Sequence, residues 1–335
     1  MSRNSSGTTR KKVLVFRALP PDQLARLQAQ HDVTLANPRR PDQADAFDAA
    51  LAGTEGMLGS SLPITAALLA RAPQLKVISS VSVGVDNYDL AALAARGIML
   101  CHTPGVLTET TADTVFSLIM ASSRRLVELA NFVRDGRWQH NIGEELYGWD
   151  VHGKTLGILG FGRIGQALAR RAALGFGMPV LYHNRGAVDV AATLPDLLGK
   201  VSATSLDALL KQADIVAVTL PLSDATRGLM GAREFELMKA GAIFVNGARG
   251  AIVQEYALLN ALNHGTLRAA GLDVFATEPL PLASALRTHP KVTALPHIGS
   301  ATLETRQAMA TLACSNLLDA LAGKRPQTVF DLAVQ

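Results

Sequence analysis

The chain has 335 residues, of which 48% are hydrophobic, 18% charged and 5% aromatic, with a formal net charge of +4. This length favours two domains, and the composition excludes a disordered chain. No apolar run approaches the roughly 20 residues of a membrane span, and no dense basic stripe with interleaved aromatics suggests nucleic-acid binding. We therefore predict a protein with neither a membrane nor a nucleic-acid partner.

The N-terminal residues and the cysteines bear on compartment and metal binding. Residues 1–12 are polar and basic with no apolar segment behind them, which predicts a solvated arm and not a secretory signal. Cys101 and Cys314 are too few for a disulfide framework or a metal-ligand cluster. We expect buried thiols in a reducing compartment, and hence a cytoplasmic protein without a metal site.

In the first part of the chain, short runs rich in Val, Ile and Leu alternate with Ala/Leu-rich helical patterns. Helix starts are predicted near Pro20, Pro63 and Asn87, where Pro or Asp suits a first helical turn. The candidate strands of this part are 13–16, 33–35, 56–58, 77–79 and 98–101.

The second part opens with a predicted long helix from Thr108 to Asp135, with Thr110 and Asp113 as its capping-box-like start. A polar, irregular passage follows, and then a second strand–helix series with a last helix at 303–321. That helix has few strands left to pair with, so we expect it to pack on the first domain. Uniformly apolar strands alternating with helices predict an α/β fold of two interleaved, doubly wound parallel-sheet domains. The candidate strands here are 155–159, 180–183, 215–219, 242–246, 269–273 and 292–295.

A glycine-rich turn follows the strand at 155–159 directly and opens a helix. Gly160 permits a tight turn, Gly162 lets a pyrophosphate approach the backbone, and Gly165 allows the helix to pack closely on the strand. In this strand–turn–helix context the motif predicts a Rossmann dinucleotide-binding domain. The predicted cofactor contacts on it are Gly160, Gly162, Arg163, Ile164 and Gly165.

The end of the next strand bears on the choice of cofactor. NAD enzymes place an acid there to bind the adenosine ribose, but residues 182–185 carry none. Arg185 can neutralise a 2′-phosphate with paired donors, and Asn184 can add a hydrogen bond. The alternative is that Arg185 is an ordinary exposed arginine. We predict NADP as the preferred cofactor, with NAD as the alternative.

Three further segments lie at predicted strand ends, where open parallel sheets bind their ligands. They read V-N-G-A-R-G (245–250), G-L-D-V-F-A-T-E-P (271–279) and P-H-I-G-S-A-T (296–302). With S-V-G-V-D (82–86) and G-R-W (136–138), they make the sequence resemble the D-isomer-specific 2-hydroxyacid dehydrogenase family over nearly its whole length. It is most similar to the glyoxylate/hydroxypyruvate and 2-ketogluconate reductases of that family.

The resemblance implies NADPH-dependent reduction of a small 2-keto acid, such as glyoxylate, hydroxypyruvate or 2-ketogluconate, to a D-2-hydroxy acid. His297 is the implied proton donor, since imidazole titrates near neutrality. Glu278 orients its ring and stabilises its charged form. Arg249 binds the carboxylate and polarises the carbonyl. The implied substrate-binding residues are Val83, Gly84, Arg249 and His297.

The resemblance also assigns domains and further contacts. A flavodoxin-like substrate domain is expected at 1–106 and 299–335, with the Rossmann domain at 107–298. Asp273 is expected near the nicotinamide carboxamide, and a homodimer is the expected assembly. Trp138 either lines the pocket of the neighbouring subunit, as the resemblance implies, or packs in a core. The other implied cofactor contacts are Thr111, Leu220, Pro221, Thr226, Gly247 and Ala248.

Two other functions stay open at this point. One is an NAD-dependent dehydrogenase of another D-2-hydroxy acid, such as phosphoglycerate; a formate enzyme fits less well, because it has Gln in place of Glu278. The other is a non-catalytic dinucleotide-sensing scaffold on the same fold. Arg249, Glu278 and His297 are all present, which favours an enzyme over a scaffold.

Overall fold

The computed structural model describes residues 9–332, and the chain forms two compact units. Unit 1 comprises the residues up to Leu107 together with those from Thr302 onward, and unit 2 comprises Thr108–Ala301. The chain therefore leaves unit 1, builds unit 2 and returns, so the two units are interleaved as predicted.

Strands and helices alternate along the described chain. The strands are β1 (Lys12–Val15), β2 (Asp32–Leu35), β3 (Gly56–Gly59), β4 (Val77–Ser80), β5 (Met99–Cys101), β6 (Leu156–Leu159), β7 (Val180–His183), β8 (Val201–Ala203), β9 (Ile215–Val218), β10 (Ala242–Asn246), β11 (Leu267–Leu272) and β12 (Val292–Ala294). The α-helices are α1 (Pro21–Gln30), α2 (Ala44–Leu51), α3 (Ala66–Ala70), α4 (Leu90–Ala95), α5 (Thr108–Arg124), α6 (Leu126–Arg134), α7 (Arg163–Arg170), α8 (Val190–Thr193), α9 (Leu206–Gln212), α10 (Ala232–Leu237), α11 (Glu255–Asn263) and α12 (Leu303–Leu321). Within residues 9–332, none of these helices combines the length and the apolar character that crossing a membrane requires.

Unit 1 is built on a parallel sheet with strand order β2-β1-β3-β4-β5. One face is covered by α2, α3 and α4, whose Phe47, Leu69 and Leu93 join a single buried core. The other face receives α12, and the Ser79 hydroxyl of β4 donates to the Ala313 carbonyl oxygen at 2.8 Å. The prediction that the last helix packs on the first domain is confirmed.

Unit 2 is built on a parallel sheet with strand order β12-β11-β10-β9-β6-β7-β8. Alternate residues of a strand point to opposite faces: Ile243 and Val245 of β10 enter one core, and Phe244 enters the other. Helices α5 and α7 cover the first face, and α9, α10 and α11 cover the second. The sheet is thus doubly wound, which confirms the predicted fold class.

The helix starts predicted in unit 1 are confirmed, and two of the three have a side-chain cap. Helix α1 begins at Pro21, so a proline occupies its first turn. The Thr65 hydroxyl accepts the Leu68 N–H at 3.3 Å, and a carboxylate oxygen of Asp89 accepts the Ala92 N–H at 2.9 Å. These side chains satisfy N–H groups that have no partner inside a helix.

Three details of the sequence interpretation are wrong. The long helix is interrupted at Arg125, whose φ is +53° and whose guanidinium binds Glu128 at 2.6 Å. Helix α5 begins at Thr108, so Thr110 lies inside it and does not cap it. The short strand β8 was not predicted, because Val-Ser-Ala provides no apolar run.

The predicted solvated arm is also partly wrong. Residues 1–8 of it lie outside the described residues. Arg10, however, donates from Nε to Asp32 at 2.6 Å and from another nitrogen to the Ala29 carbonyl at 3.2 Å. Lys12 begins β1. Residues 10–12 are therefore part of unit 1.

Candidate active site

A tight turn joins β6 to α7 at the carboxyl edge of the unit 2 sheet. Gly160 has a φ of +95°, and a Cβ on it would lie 2.8 Å from the Leu220 nitrogen. A Cβ on Gly165 would overlap the carbonyl oxygen of Gly160. Glycine is therefore required at both positions for the turn and the helix to pack together.

The same turn forms a cradle at Gly162, the N-cap of α7. A Cβ there would meet no heavy atom of the described residues within 4 Å, so a ligand can approach the backbone. The first turn of α7 directs its N–H groups and the positive end of its dipole at this space. Arg163 is exposed and Ile164 half-buried at the start of the helix. These residues fit the diphosphate of a dinucleotide.

Asn184 and Arg185 follow β7 and have different surroundings. Asn184 Oδ1 accepts the Phe161 N–H at 3.1 Å, and its Nδ2 donates to the Gly186 carbonyl at 2.9 Å. Asn184 therefore holds the glycine-rich turn against the end of β7, a role that sequence reasoning missed. Arg185 is exposed and forms no hydrogen bond or ion pair with another residue of 9–332. Its guanidinium is available to an anionic ligand.

A second loop, after β9, is attached to the glycine-rich turn. The Thr219 hydroxyl donates to the Gly160 carbonyl oxygen at 2.6 Å, and Leu220 packs against one of the unit 2 cores. The Thr226 hydroxyl donates to the Pro221 carbonyl at 2.8 Å and closes the loop. The predicted contacts Leu220, Pro221 and Thr226 thus share one short loop. Thr219, at the end of the predicted strand 215–219, fastens this loop to the glycine-rich turn.

Arg249 lies on a turn directly after β10. The buried Asn246 clamps this turn: its Oδ1 accepts the Ala248 N–H at 3.0 Å, and its Nδ2 donates to the Arg249 carbonyl at 3.0 Å. Gly247 packs against Val115 of α5 without room for a side chain. The sequence signal for the clamp is a buried amide at the end of an apolar strand, where it must find partners.

His297 and Glu278 form a hydrogen-bonded pair. His297 Nδ1 lies 2.7 Å from Glu278 Oε2, and Glu278 Oε1 accepts the Phe275 N–H at 3.0 Å. Because a charged carboxylate only accepts hydrogen bonds, Nδ1 carries the hydrogen and Nε2 is the nitrogen left for a substrate. The His297 side chain is 46% exposed, so a small molecule can reach it.

The electrostatics of Glu278 favour its charged form. Burial opposes the charge, but hydrogen bonds from His297 and the Phe275 N–H, with the positive charges of His297 and Arg249, outweigh it and lower the pKa below its ordinary 4.5. The Arg249 turn approaches closely because Gly250 has no side chain, and a Cβ there would overlap the Phe275 carbonyl carbon. Glu278 is therefore a carboxylate at neutral pH and stabilises positive charge on the His297 ring.

Asp273 follows β11, is 2% exposed and holds the backbone after His297. Its Oδ1 accepts the Ile298 N–H at 2.7 Å and its Oδ2 accepts the Gly299 N–H at 2.8 Å. Burial raises the pKa of Asp273, and these two N–H groups oppose the shift. The bonds hold the chain where His297 has a φ of +54°, a conformation that a non-glycine residue adopts at a cost. Thr111 of α5 lies beside Gly299.

The structure therefore brings Arg249, Asp273, Glu278 and His297 together at the carboxyl ends of β10, β11 and β12. Val83 and Gly84 belong to unit 1, where they follow β4. Neither of their N–H groups donates to another residue of the described chain.

Two residues that directly follow β5 hold the loop of Val83 and Gly84 in place. His102 Nδ1 lies 3.1 Å from the Val83 carbonyl oxygen, and the Thr103 N–H donates to the Ser82 carbonyl at 2.9 Å. Free consecutive N–H groups in such a loop can bind a carboxylate. His102 was given no role by sequence reasoning.

Comparison with known proteins agrees with this geometry. Residues 116–299 match the sequence model of the D-isomer specific 2-hydroxyacid dehydrogenase, NAD binding domain. The chain is 50% identical to glyoxylate/hydroxypyruvate reductase B of Citrobacter koseri over 314 residues, 93% of this chain and 95% of that protein. It is 48% identical to the protein of the same name from Escherichia coli over 312 residues, again 93% and 95% of the two chains.

Solved structures give the same result for the fold. The TT0316 protein from Thermus thermophilus is 43% identical with a TM-score of 0.86, over 96% of this chain and 100% of that chain. An NADPH-dependent glyoxylate/hydroxypyruvate reductase from Sinorhizobium meliloti, solved in complex with NADP and malonate, is 30% identical with a TM-score of 0.86, over 97% and 98% of the chains. The family model matches more than half of the sequence and the relatives nearly all of it. The chain therefore belongs to the D-isomer-specific 2-hydroxyacid dehydrogenase family of oxidoreductases, with a nicotinamide dinucleotide as cofactor.

Proposed function

We propose that this chain reduces small 2-keto acids, namely glyoxylate, hydroxypyruvate and 2-ketogluconate, to D-2-hydroxy acids with NADPH. The observation that carries the proposal is the 2.7 Å contact between His297 and Glu278, with the Arg249 charge acting on the same carboxylate. Such a reduction needs a proton donor for the carbonyl oxygen and a cation for the substrate carboxylate. The names of the relatives, glyoxylate/hydroxypyruvate reductases, support the same substrate class.

In this mechanism His297 is the general acid. When bound, the reduced nicotinamide supplies the hydride that adds to the carbonyl carbon. His297 Nε2 donates its proton to the carbonyl oxygen as negative charge develops there. Glu278 stabilises the charged ring beforehand and keeps Nδ1–H bonded to its carboxylate afterwards. The ring leaves the step neutral, and the new hydroxyl carries its proton.

Arg249 binds the substrate in this proposal. The planar guanidinium of Arg249 binds the substrate carboxylate and polarises the neighbouring carbonyl. Within unit 1, the free N–H groups of Val83 and Gly84 are the proposed donors to a substrate carboxylate. Asp273 positions His297 by fixing the Ile298 and Gly299 backbone.

The preference for NADPH rests on Arg185. Its guanidinium is exposed at the end of β7, where residues 182–185 include no acid that would repel a 2′-phosphate. Arg163, also exposed at the start of α7, adds positive charge to the same edge of unit 2. NAD is the alternative cofactor, and the ratio of catalytic efficiencies with NADPH and NADH distinguishes the two.

The experiment is an NADPH oxidation assay with glyoxylate, hydroxypyruvate and 2-ketogluconate. We expect turnover of at least the two smaller acids. We expect the kcat of His297→Asn to fall roughly 10²- to 10⁴-fold. The variant should still bind NADPH, which the fluorescence of the nucleotide measures. Full activity of His297→Asn would contradict the acid assignment. NADPH binding without turnover of any acid would favour a non-catalytic dinucleotide sensor.

We further propose a homodimer formed through unit 2. Helix α6 exposes Leu126, Val127 and Val133, and the segment after it exposes Trp138 and Ile142. A group of exposed large apolar side chains of this kind is typical of a protein interface. Light scattering should give a dimer for the wild type and a monomer for Val133→Lys; a monomeric wild type would contradict the proposal.

A further inference from the structure

A cavity of about 280 Å³ lies at the carboxyl end of the unit 1 sheet. Arg17 enters it two residues after β1, and Ser60 and Ser61 enter it directly after β3. Strand β2 lies on one side of β1, and the next strand of the chain, β3, lies on the other side. The order in which strands are added to the sheet therefore switches direction between β1 and β3. In open parallel sheets ligands bind at such a switch point, outside the carboxyl ends of the strands. Its polar lining, which we call the arginine cleft, consists of Arg17, Arg39, Arg306, Asn37, Ser60 and Ser61.

The charge of the arginine cleft is positive and not neutralised within the described chain. Arg17 Nη1 donates to the Ser60 hydroxyl at 2.6 Å, and Arg39 donates to the Ser61 carbonyl. Neither of these arginines nor Arg306 forms an ion pair with a carboxylate of residues 9–332. The neighbouring Arg40, outside the cleft, does pair with Asp42 at 3.3 Å.

Burial makes this arrangement costly without a ligand. Burial lowers the pKa of Arg17, and the positive charge of Arg306 lowers it further. Burial also lowers the pKa of Arg306. Two half-buried guanidinium groups that repel each other are stabilised by an oxyanion, which accepts paired hydrogen bonds from them.

We propose that the arginine cleft is an oxyanion-binding subsite that takes a carboxylate or phosphate group. Neighbouring strands lie about 4.8 Å apart, and β3 lies between β1 and β4. The cleft is therefore about one to two strand spacings, roughly 5–10 Å, from the Val83–Gly84 loop after β4. That span suits the far end of a 2-keto acid of four to six carbons whose own carboxylate binds that loop.

The oxyanion has two possible sources, which share this chemistry. It is either the distal group of a dicarboxylic or phosphorylated 2-keto acid, or a separate small anion. The first source rests on the function proposed above, because it assumes a 2-keto acid at Val83 and Gly84. Binding of an anion to the cleft does not depend on that assumption.

The first arm of the test measures binding of inorganic phosphate to the full chain by calorimetry, with chloride keeping the ionic strength constant. We expect the wild type to bind phosphate, and Arg17→Gln and Arg306→Gln each to weaken binding about tenfold or more, since each removes a charge-assisted pair. Arg306→Lys should retain part of the affinity, and Arg40→Gln should retain all of it. Thermal unfolding identifies any variant that fails to fold. No phosphate binding by the wild type, or equal binding by all the variants, would overturn the proposal.

The second arm identifies the source by comparing 2-oxoglutarate, which has a distal carboxylate, with 2-oxovalerate, whose distal end is an uncharged methyl group. If the cleft is a substrate subsite, the kcat/KM for 2-oxoglutarate divided by that for 2-oxovalerate should fall about tenfold in Arg306→Gln. The fall should come mainly from a higher KM for 2-oxoglutarate. The same ratio should stay constant in Arg40→Gln. If Arg306→Gln loses phosphate binding but keeps the wild-type ratio, the cleft is an oxyanion site for a separate anion. If the wild type reduces no 2-keto acid, the proposed function fails, and phosphate binding still decides whether the cleft is a site.

Discussion

His297 and Glu278 are 19 residues apart in the chain, and their side chains meet at 2.7 Å. The pair joins the turn after β11 to the turn after β12, because neighbouring parallel strands end at the same edge of the sheet. Backbone N–H groups fix the positions of both residues. The Phe275 N–H binds Glu278, and the N–H groups of Ile298 and Gly299, just after His297, bind Asp273. Each of these contacts has a consequence that can be measured.

Glu278→Gln should lower keto acid reduction at neutral pH by about tenfold or more, since a neutral amide no longer stabilises the charged His297 ring. In the wild type the pKa of Glu278 is lowered below its ordinary 4.5, so its carboxylate is charged at all but strongly acid pH. The difference between wild type and variant should therefore persist from neutral pH down to mild acid. Equal rates for the two proteins over this range would argue against coupling; the exposed Glu236→Gln serves as the control.

Asp273→Asn should displace the His297 backbone. An amide offers one acceptor oxygen to the two N–H groups of Ile298 and Gly299, and its NH₂ group faces one of them. We expect a loss of about 1–3 kcal/mol in the free energy of unfolding and a lower kcat, with the KM for NADPH less affected. Chemical denaturation and steady-state kinetics measure the two effects. Wild-type kcat in a folded variant would rule out the positioning role.

Arg185→Glu should reverse the cofactor preference. The new carboxylate repels a 2′-phosphate and accepts hydrogen bonds from a free ribose, so the ratio of kcat/KM for NADPH over NADH should fall by about tenfold or more. Arg170→Gln, at the exposed pair with Asp196, should leave the ratio unchanged. A ratio near that of the wild type in Arg185→Glu would show that Arg185 does not bind the phosphate.

His102→Phe should weaken substrate binding through the Val83–Gly84 loop. The variant keeps a ring against Phe330, whose centroid lies 5.4 Å away, and removes the bond to the Val83 carbonyl. We expect the KM for keto acids to rise by about tenfold, with little change in kcat or in the affinity for NADPH. His264→Phe, at an exposed histidine, is the control. A fall in kcat at constant KM would contradict this role.

Asp214→Asn should destabilise the protein in a pH-dependent way. The Asp214 carboxylate accepts the Thr155 N–H at 2.9 Å ahead of β6 and pairs with Lys239. Burial opposes its charge, but these partners outweigh burial and lower its pKa below 3.8. A lowered pKa adds stability above the ordinary value, and this is lost as pH falls through the shifted value. The variant should therefore lose about 1 kcal/mol at pH 7 and differ little from the wild type in strong acid.

The melting temperatures of both proteins from pH 3 to pH 8 test this expectation. A difference that stays constant over the whole range would contradict the charge argument. Asp42→Asn, which breaks the exposed pair with Arg40, should change little at any pH because exposed pairs contribute little.

Local patterns in the sequence predicted the described strands other than β8, the glycine-rich turn and the edge of the sheet at which the site lies. Gly160 and Gly165 are recognisable because a tight turn and close helix packing tolerate only glycine there. Arg249 and Asp273 were placed at strand ends because they follow or end apolar runs that predict strands. Since parallel strands present their carboxyl ends at one edge, both were expected at that edge. These are properties of a few neighbouring residues, so spacing alone reveals them.

Several side-chain contacts were decided only by the tertiary structure. It assigned both oxygens of Asp273 to the backbone after His297, the Asn184 amide to the glycine-rich turn, and His102 to the Val83 carbonyl. It also placed Arg17 and Arg306, from opposite ends of the chain, in one cleft. Hydrogen bonds and charge repulsion depend on distances of a few ångströms and on angles, which the packing of distant segments determines and residue spacing does not.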